Sequence, residues 1–251
     1  MTPETSIIIR TKNEEKWLGT VLEKLFNQTY KDFEVIIVDS GSSDKTLEIA
    51  KQFLVKILQI PAQSFSYPLA LNYAIRNASG SSKFVVIMSA HSIPISNTWL
   101  DEGIKNLEED KMVAGVFGFI DPLPNASFWD KIFIKVPNLV RGIRGKQERQ
   151  IIQKSGMGVL GFTNAIIRKD LWEKYPFNEQ YGAGGEDGEW AAYWLSRGYH
   201  VIRDRKFTVL HSHHLSLAGW YRQWKYWKSL AKPRPFEPLS FRKSPTHAPI
   251  K

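Results

Sequence analysis

Five short β-branched runs alternate with amphipathic helical stretches over the first 120 residues, and this alternation restricts the fold more than any other feature. The strands read as 6–10, 34–38, 55–60, a run starting at Phe84, and 113–119. Between them, 16–28 sets Trp17, Leu18, Val21, Leu22, Leu25 and Phe26 on one helical stripe. Ser42, Ser43 or Asp44 would cap a helix running to about Phe53. Residues 67–78 and 97–110 read as two more helices. Alternation over this length predicts an α/β fold, a mostly parallel, doubly wound sheet of Rossmann-like plan flanked by helices.

In such a sheet ligands bind beyond the carboxyl ends of the strands, and there the polar residues collect. Thr11, Lys12, Asn13 and Glu14 follow the first strand, and 39–44 (Asp-Ser-Gly-Ser-Ser-Asp) follows the second. The fourth ends in Ser89, Ala90 and His91, with Pro94 blocking regular continuation. Taken singly, Asn13, Asp39 and Asp44 are ordinary cap and turn residues. Their occurrence after successive strands points to one shared crevice.

Length and charge narrow the classes. With 251 residues and 43% hydrophobic content, the chain can build one large domain, or one domain and a tail. It has no cysteine, which rules out disulfides and thiolate metal sites. No apolar run approaches the ~18 residues of a membrane span, and the N-terminus does not resemble a signal peptide. The expectation is a cytoplasmic protein. A net charge of +9 favours phosphate-rich partners: nucleic acid, nucleotide ligands or an anionic membrane surface. No nucleic-acid-binding motif is present, so nucleic acid is not expected as a partner.

The second half is less regular. Phe128, Trp129, Ile132, Phe133 and Val136 suit a short helix. The basic stretch of Arg141, Arg144, Lys146, Arg149 and Lys154 reads either as a loop closing over phosphates or as a solvated excursion. The glycine-rich run 156–161 lacks the Gly-Lys-Ser/Thr of a phosphate loop, and a strand follows at 162–168. Glu186 and Asp187 open a helix with Trp190, Ala191, Trp194 and Leu195 on its buried side. Carboxylates are favourable at a helix N-terminus in their own right, and one so placed can also act as a general base. In 209–214 (Val-Leu-His-Ser-His-His), strand geometry would put His211 and His213 on one face. Trp220, Trp224 and Trp227 then share a helical face, with Tyr221, Arg222, Lys225 and Lys228 around it. Packing of that face on the domain is expected, and a membrane interface is the other arrangement it fits. The Pro-rich tail from Lys232 is expected to be loosely ordered.

The stretches Ser6-Ile-Ile-Ile-Arg-Thr-Lys-Asn-Glu-Glu and Glu34-Val-Ile-Ile-Val-Asp-Ser-Gly-Ser-Ser-Asp-Lys-Thr resemble the opening of family 2 glycosyltransferases with the GT-A fold. The likeness runs to about His214. It implies a GT-A domain over 1–215, with a nucleotide-binding half to about 120 and an acceptor half from about 121. An aromatic-basic helix and tail would occupy 216–251. The implied activity is inverting transfer of a sugar from a UDP-, GDP- or dTDP-linked donor to a hydroxyl of a glycan or lipid-linked acceptor, as in bacterial polysaccharide or glycoconjugate synthesis. By the same resemblance Thr11, Asn13, Glu14 and Asp39 would hold the base and ribose, and Ser89 and His91 the diphosphate. Asp187 would be the general base and Glu186 its orienting neighbour.

One departure matters. The family usually ends its fourth strand with Asp-x-Asp on a divalent metal, and here Ser89-Ala90-His91 stands in its place. His91, with His211 and His213, then becomes the metal candidate. Imidazole donors suit Mn²⁺ or Zn²⁺ better than Mg²⁺. Direct, metal-free binding of the diphosphate by His91 and basic side chains is the alternative. The lost carboxylates also admit a second reading, a non-catalytic nucleotide- or glycan-binding protein of this fold. Besides a cytoplasmic location, peripheral contact with the inner face of the membrane fits the aromatic-basic helix.

Overall fold

The computed structural model describes residues 2–143, 149–154, 159–182 and 184–230. Arg144 and Lys146 of the basic stretch, 156–158 of the glycine-rich run and the tail beyond Leu230 lie outside the described residues.

Strand pairing is centred on β1 (Thr5–Thr11), whose Ile7, Ile8 and Ile9 are all fully buried. A run apolar on both faces is what a covered parallel strand requires. β2 (Phe33–Asp39) lies parallel on one side of it, with β3 (Lys56–Gln59) beyond, and β4 (Phe84–Ser89) lies parallel on the other. The linking helices are α1 (Leu18–Phe26), α2 (Thr46–Ala50) and α3 (Tyr67–Arg76). α1 buries Leu18, Val21, Leu22 and Leu25, the spacing of one helical face. α3 is capped by Ser66, whose Oγ accepts the Leu69 N–H at 3.3 Å.

After β4 come a two-residue strand β5 (Ile93–Pro94), α4 (Trp99–Glu109), β6 (Val113–Asp121) and α5 (Phe128–Ile143). The chain continues through β7 (Arg149–Ile152), β8 (Asn164–Arg168), α6 (Lys169–Lys174), α7 (Glu186–Leu195), β9 (His200–Leu210) and α8 (Leu217–Leu230). The sheet order is β3-β2-β1-β4-β8-β6-β9-β5, with β7 on β9. Helices cover both faces. Leu22, Trp99 and Ile104 pack on the side of Ile7, Ile9 and Val86. Leu71, Trp172 and Trp190 pack on the side of Ile8, Val85 and Ile167.

The sheet is mixed rather than mostly parallel. β6 leaves one strand's width between itself and β4, and β8 fills it antiparallel to both. β9 then runs parallel to β6 but antiparallel to β5 and β7. The helix expected at Phe128 continues through Pro137 to Ile143. Arg149 of the basic stretch lies in β7, where its Nε donates to Asn106 Oδ1 at 2.6 Å and Nη2 lies 3.9 Å from Glu109 Oε2. That arginine is committed to α4 rather than to a loop over phosphates.

One irregularity sets the end of β9. Gly118 pairs with Asp204 and Ile120 with Val209, so 205–208 bulge out of the ladder. The bulge drives Phe207 into the core, stacked on Trp99 with ring centroids 4.4 Å apart. The Phe207 carbonyl crosses over Gly118 so closely that a Cβ there would lie 1.5 Å from its oxygen.

A candidate active site at the strand ends

The C-terminal ends of β1, β2 and β4 adjoin, with Thr11 opposite Asp39 and Arg10 opposite Ser89. The segments following these strands build the first corner of the site. Asp39 is fully buried and accepts from Thr11 Oγ1 at 3.2 Å, from the backbone N–H groups of Gly41 and Ser42 at 3.0 Å each, and from Ser42 Oγ. Asn13 takes a positive φ of 55°, accepts the Ser43 N–H at 2.8 Å, and donates its own N–H to Ser42 Oγ at 2.9 Å. Thr11, Asn13 and Asp39 therefore knit the two loops into one polar wall, with Asn13 exposed on it. Asp44 accepts from the Thr46 N–H and Oγ1 and from the Glu15 N–H, so it braces the turn before α2, whose N-cap position is Lys45 rather than the expected Ser42, Ser43 or Asp44.

The second corner is a histidine cluster. β5 pairs Ile93 with Leu210 and Pro94 with Val209, which draws the turn after β4 against the end of β9. His91 and His211 stack with centroids 4.6 Å apart, and His213 meets His91 at 5.2 Å and His211 at 4.6 Å, edge-on to both. One nitrogen of each lies within 4.8 Å of the others. Both histidines after β9 therefore face His91, though not from a strand: β9 ends at Leu210, where the His211 N–H donates to Asp121 O at 2.8 Å. Glu14 turns to this corner instead of the polar wall. Its Oε1 lies 2.8 Å from His91 Nδ1, and Ser89 Oγ lies 3.3 Å from the same nitrogen. A carboxylate on Nδ1 fixes the proton there and leaves Nε2 as the lone-pair nitrogen. Burial, reinforced by the neighbouring imidazoles, lowers His211 well below the usual histidine range; burial likewise lowers His213.

This donor set fits a metal. One nitrogen of each imidazole already lies within 4.8 Å of the others, and three nitrogens sharing an ion at ~2.0–2.1 Å would sit ~3–3.5 Å apart. A set of imidazoles suits Mn²⁺ or Zn²⁺ and is poor for Mg²⁺.

The third corner lies at α7. Gly185 precedes it at φ 104°, a conformation glycine adopts without strain. The turn leaves Glu186 buried and Asp187 half-buried at the helix start. Arg10, from β1, places Nη1 3.9 Å from Glu186 Oε1, lies 4.7 Å over the Tyr67 ring, and donates to Phe162 O at 3.4 Å. Burial pushes the Glu186 carboxyl up to about 7, with the Asp187 charge adding and Arg10 opposing. Asp187 is also raised by burial, against the N–H groups of Gly188 and Phe162 and the Arg10 cation, which hold its charged form. Among the described residues, Glu186 Oε2 is buried without a hydrogen-bond partner.

Arg10 and the pair Phe162–Thr163 were not expected in the site. Thr163 O accepts from the Ser89 N–H at 3.2 Å and Ser92 Oγ at 3.0 Å, so 162–163 tie the second corner to the third. Arg10 did carry a signal: a lone charge following three buried isoleucines within a strand demands a partner.

Residues 6–175 match the family described as Glycosyl transferase family 2. The chain belongs to that family. Among curated relatives, it is 35% identical over 131 residues to the dolichyl N-acetyl-alpha-D-glucosaminyl phosphate 3-beta-D-2,3-diacetamido-2,3-dideoxy-beta-D-glucuronosyltransferase of Methanococcus voltae, covering 47% of this chain and 39% of that one. It is 28% identical over 219 residues to the O-antigen chain rhamnosyltransferase WbaN of Salmonella anatum, covering 84% of this chain and 67% of WbaN. The chain spans 24% to 67% of the length of such relatives. Its fold matches the mannosyltransferase PcManGT of Pyrobaculum calidifontis, solved in complex with GDP-Man and Mn²⁺, at a TM-score of 0.63 and 21% identity, covering 91% of this chain and 61% of that one. The GT-A plan of the sequence reading is thus the observed fold.

Proposed function

We propose that the chain is an inverting glycosyltransferase that moves a sugar from a nucleotide-diphosphate sugar to an acceptor hydroxyl in polysaccharide or glycoconjugate synthesis. The observation that carries this is the meeting of the Glu186–Asp187 pair with Arg10 at the strand ends that also bear the polar wall and the histidine cluster. Thr11, Asn13 and Asp39 line the base and ribose side. Ser89 and the three histidines face the diphosphate. His91, His211 and His213 would hold a divalent metal, Mn²⁺ in preference to Mg²⁺, and when bound it supplies positive charge against the leaving diphosphate. Glu14 keeps His91 oriented for either a metal or a direct hydrogen bond to phosphate.

The acceptor oxygen attacks the anomeric carbon as the bond from that carbon to the donor phosphate oxygen breaks. Its proton passes to the Asp187 carboxylate, and the bonding pair leaves with the nucleoside diphosphate. Burial strengthens Asp187 as a base by raising its affinity for that proton. Arg10 and Glu186 set the charge balance beside it.

Asp187→Ala is expected to abolish acceptor-dependent nucleotide release while calorimetric binding of UDP, GDP or dTDP stays within about twofold of wild type. Retained turnover would remove Asp187 as the base. Titrating the same nucleotides with Mn²⁺, Mg²⁺ or EDTA, on wild type and His91→Ala, separates the two diphosphate arrangements. Binding that needs both Mn²⁺ and His91 supports the metal, and EDTA-resistant binding that still needs His91 supports direct contact. Nucleotide binding without any acceptor-dependent release would favour the non-catalytic reading that the replaced carboxylates at Ser89-Ala90-His91 suggest.

A further inference from the structure

α5 and α8 share a row of aromatic rings that crosses from one helix to the other. Phe128 meets Trp129 at 5.3 Å, Trp129 meets Phe133 at 6.2 Å, Phe133 meets Trp220 at 5.2 Å, and Trp220 meets Trp227 at 6.1 Å. A helix packed on a domain turns such a stripe inward. Among the described residues of this row, Trp129 and Trp220 are partly covered and the other rings are exposed. Phe128 is 67% exposed, Leu139 64%, Tyr221 61%, Trp224 48% and Trp227 43%. In α8 only Gly219 is buried.

Among the described residues, the exposed charge of α5 and α8 has one sign. α8 carries Arg222, Lys225 and Lys228 and no acidic residue, and Lys228 Nζ lies 5.0 Å over the Trp224 ring. α5 adds Lys131 and Lys135, both exposed. Its one acid, Asp130, is buried, and its Oδ1 accepts from the Trp220 indole at 2.8 Å and the Leu215 N–H at 3.2 Å. A second copy of the chain would bring the same cations, and another +9, against these. Exposed indoles and phenyl rings ringed by lysine and arginine match an anionic bilayer surface, where aromatics sit at headgroup depth and the cations meet lipid phosphates. Among the described residues no helix is long and apolar enough to cross a membrane, so the two helices would lie on it.

We propose that the α5–α8 face docks the protein on anionic lipid. Leu215, which fixes α5 through Asp130, is two residues from His213, so docking would hold the strand-end site beside the bilayer. Docking itself does not depend on glycosyl transfer. The corollary, that an acceptor anchored in lipid reaches the site from this side, does rest on that reading.

The test is sedimentation of the full chain with vesicles of phosphatidylcholine alone or mixed with phosphatidylglycerol, at about 0.1 M and about 0.5 M salt. Wild type should sediment with the mixed vesicles at low salt and be largely released at high salt. The doubly substituted Trp224→Ser, Trp227→Ser protein, and separately Lys225→Glu, Lys228→Glu, should each lose at least about tenfold in partition. Calorimetric nucleotide binding equal to wild type would certify that both variants are folded, and its loss in every protein would count against the transferase reading alone. No sedimentation of wild type, or sedimentation indifferent to the tryptophans, would overturn the proposal. So would a dimer of wild type in light scattering that the tryptophan variant lacks, since the face would then bind a second copy.

Discussion

At the residue scale, Glu186 is the most informative group because its burial and its charge conflict. Its carboxyl sits near 7 in the folded chain against an ordinary value of 4.5. Below about pH 4.5 the folded and unfolded chains both hold this proton, and the contribution of the group is fully present. As pH rises through about 7 the unfolded chain has already released the proton, so the folded state loses stability relative to it. His211 acts in the opposite sense, since its lowered value costs stability as pH falls through the ordinary histidine range. The difference between Glu186→Gln and wild type isolates the carboxyl. Relative to wild type, the melting midpoint of the variant should rise by several degrees between pH 5 and pH 8. A difference independent of pH would mean that Arg10, 3.9 Å away, already keeps Glu186 ionised. The site itself was only partly legible. Thr11, Asn13, Asp39, Glu186 and Asp187 stand in short local motifs that survive as sequence. Arg10 reads as a strand residue, and its partners lie in Phe162 and Glu186, more than 150 positions away. Glu14 stands in the same motif as Asn13, but its hydrogen-bond partner His91 is 77 positions on and could not be read from it.

At the scale of elements, the parallel strands were readable because each is a compact β-branched run flanked by turns and helical stripes. β5, β7 and most of β9 were not. β5 is two residues long and includes a proline, and its only warrant is the pairing with Leu210 and Val209. β9 carries Arg203, Asp204, Arg205 and Lys206, so its centre lacks an apolar run, and it holds its place through β6, β7 and the buried Phe207. Gly118 is the hinge of that arrangement. The Phe207 carbonyl lies over it and accepts from Asn164 Nδ2 at 2.6 Å, which ties the bulge to β8. Gly118→Ala would set a Cβ against backbone, which cannot rotate away as a side chain would. The expected cost is at least the upper end of the ~1–3 kcal/mol typical of overpacking, and at ~2–4 °C per kcal/mol the melting midpoint should fall by several degrees. Because 209–210 re-enter the ladder just before His211, the same change should weaken Mn²⁺ binding in calorimetry more than nucleotide binding in EDTA. Unchanged melting and Mn²⁺ affinity would show that the bulge can shift without moving the histidines.

At the scale of the whole molecule, the site is shared by segments that the sheet does not allow to separate. The proposed nucleotide side is carried by β1, β2 and β4, but the partner of β4 on its other edge is β8, which comes from the second half of the chain. β6 belongs to the first 121 residues, yet it pairs only with β8 and β9 among the described strands. A cut near residue 120 would leave β6 without a neighbour and open the edge of β4, exposing Val85, Ile87 and Val116, which are fully buried in the intact sheet. An edge of that kind promotes association rather than folding. The intact chain should therefore melt in one transition with equal calorimetric and van't Hoff enthalpies. A fragment of residues 1–120 should be insoluble or melt without cooperativity, although it contains Thr11, Asn13, Asp39 and His91. Nucleotide binding by that fragment at the affinity of the whole chain would show that the first half folds without β8. The opposite result would explain why Arg10 can reach the Glu186–Asp187 corner from a strand that also carries the polar wall: β1 is braced through β4 by β8, and the turn leading into β8 supplies Phe162 and Thr163 to both corners.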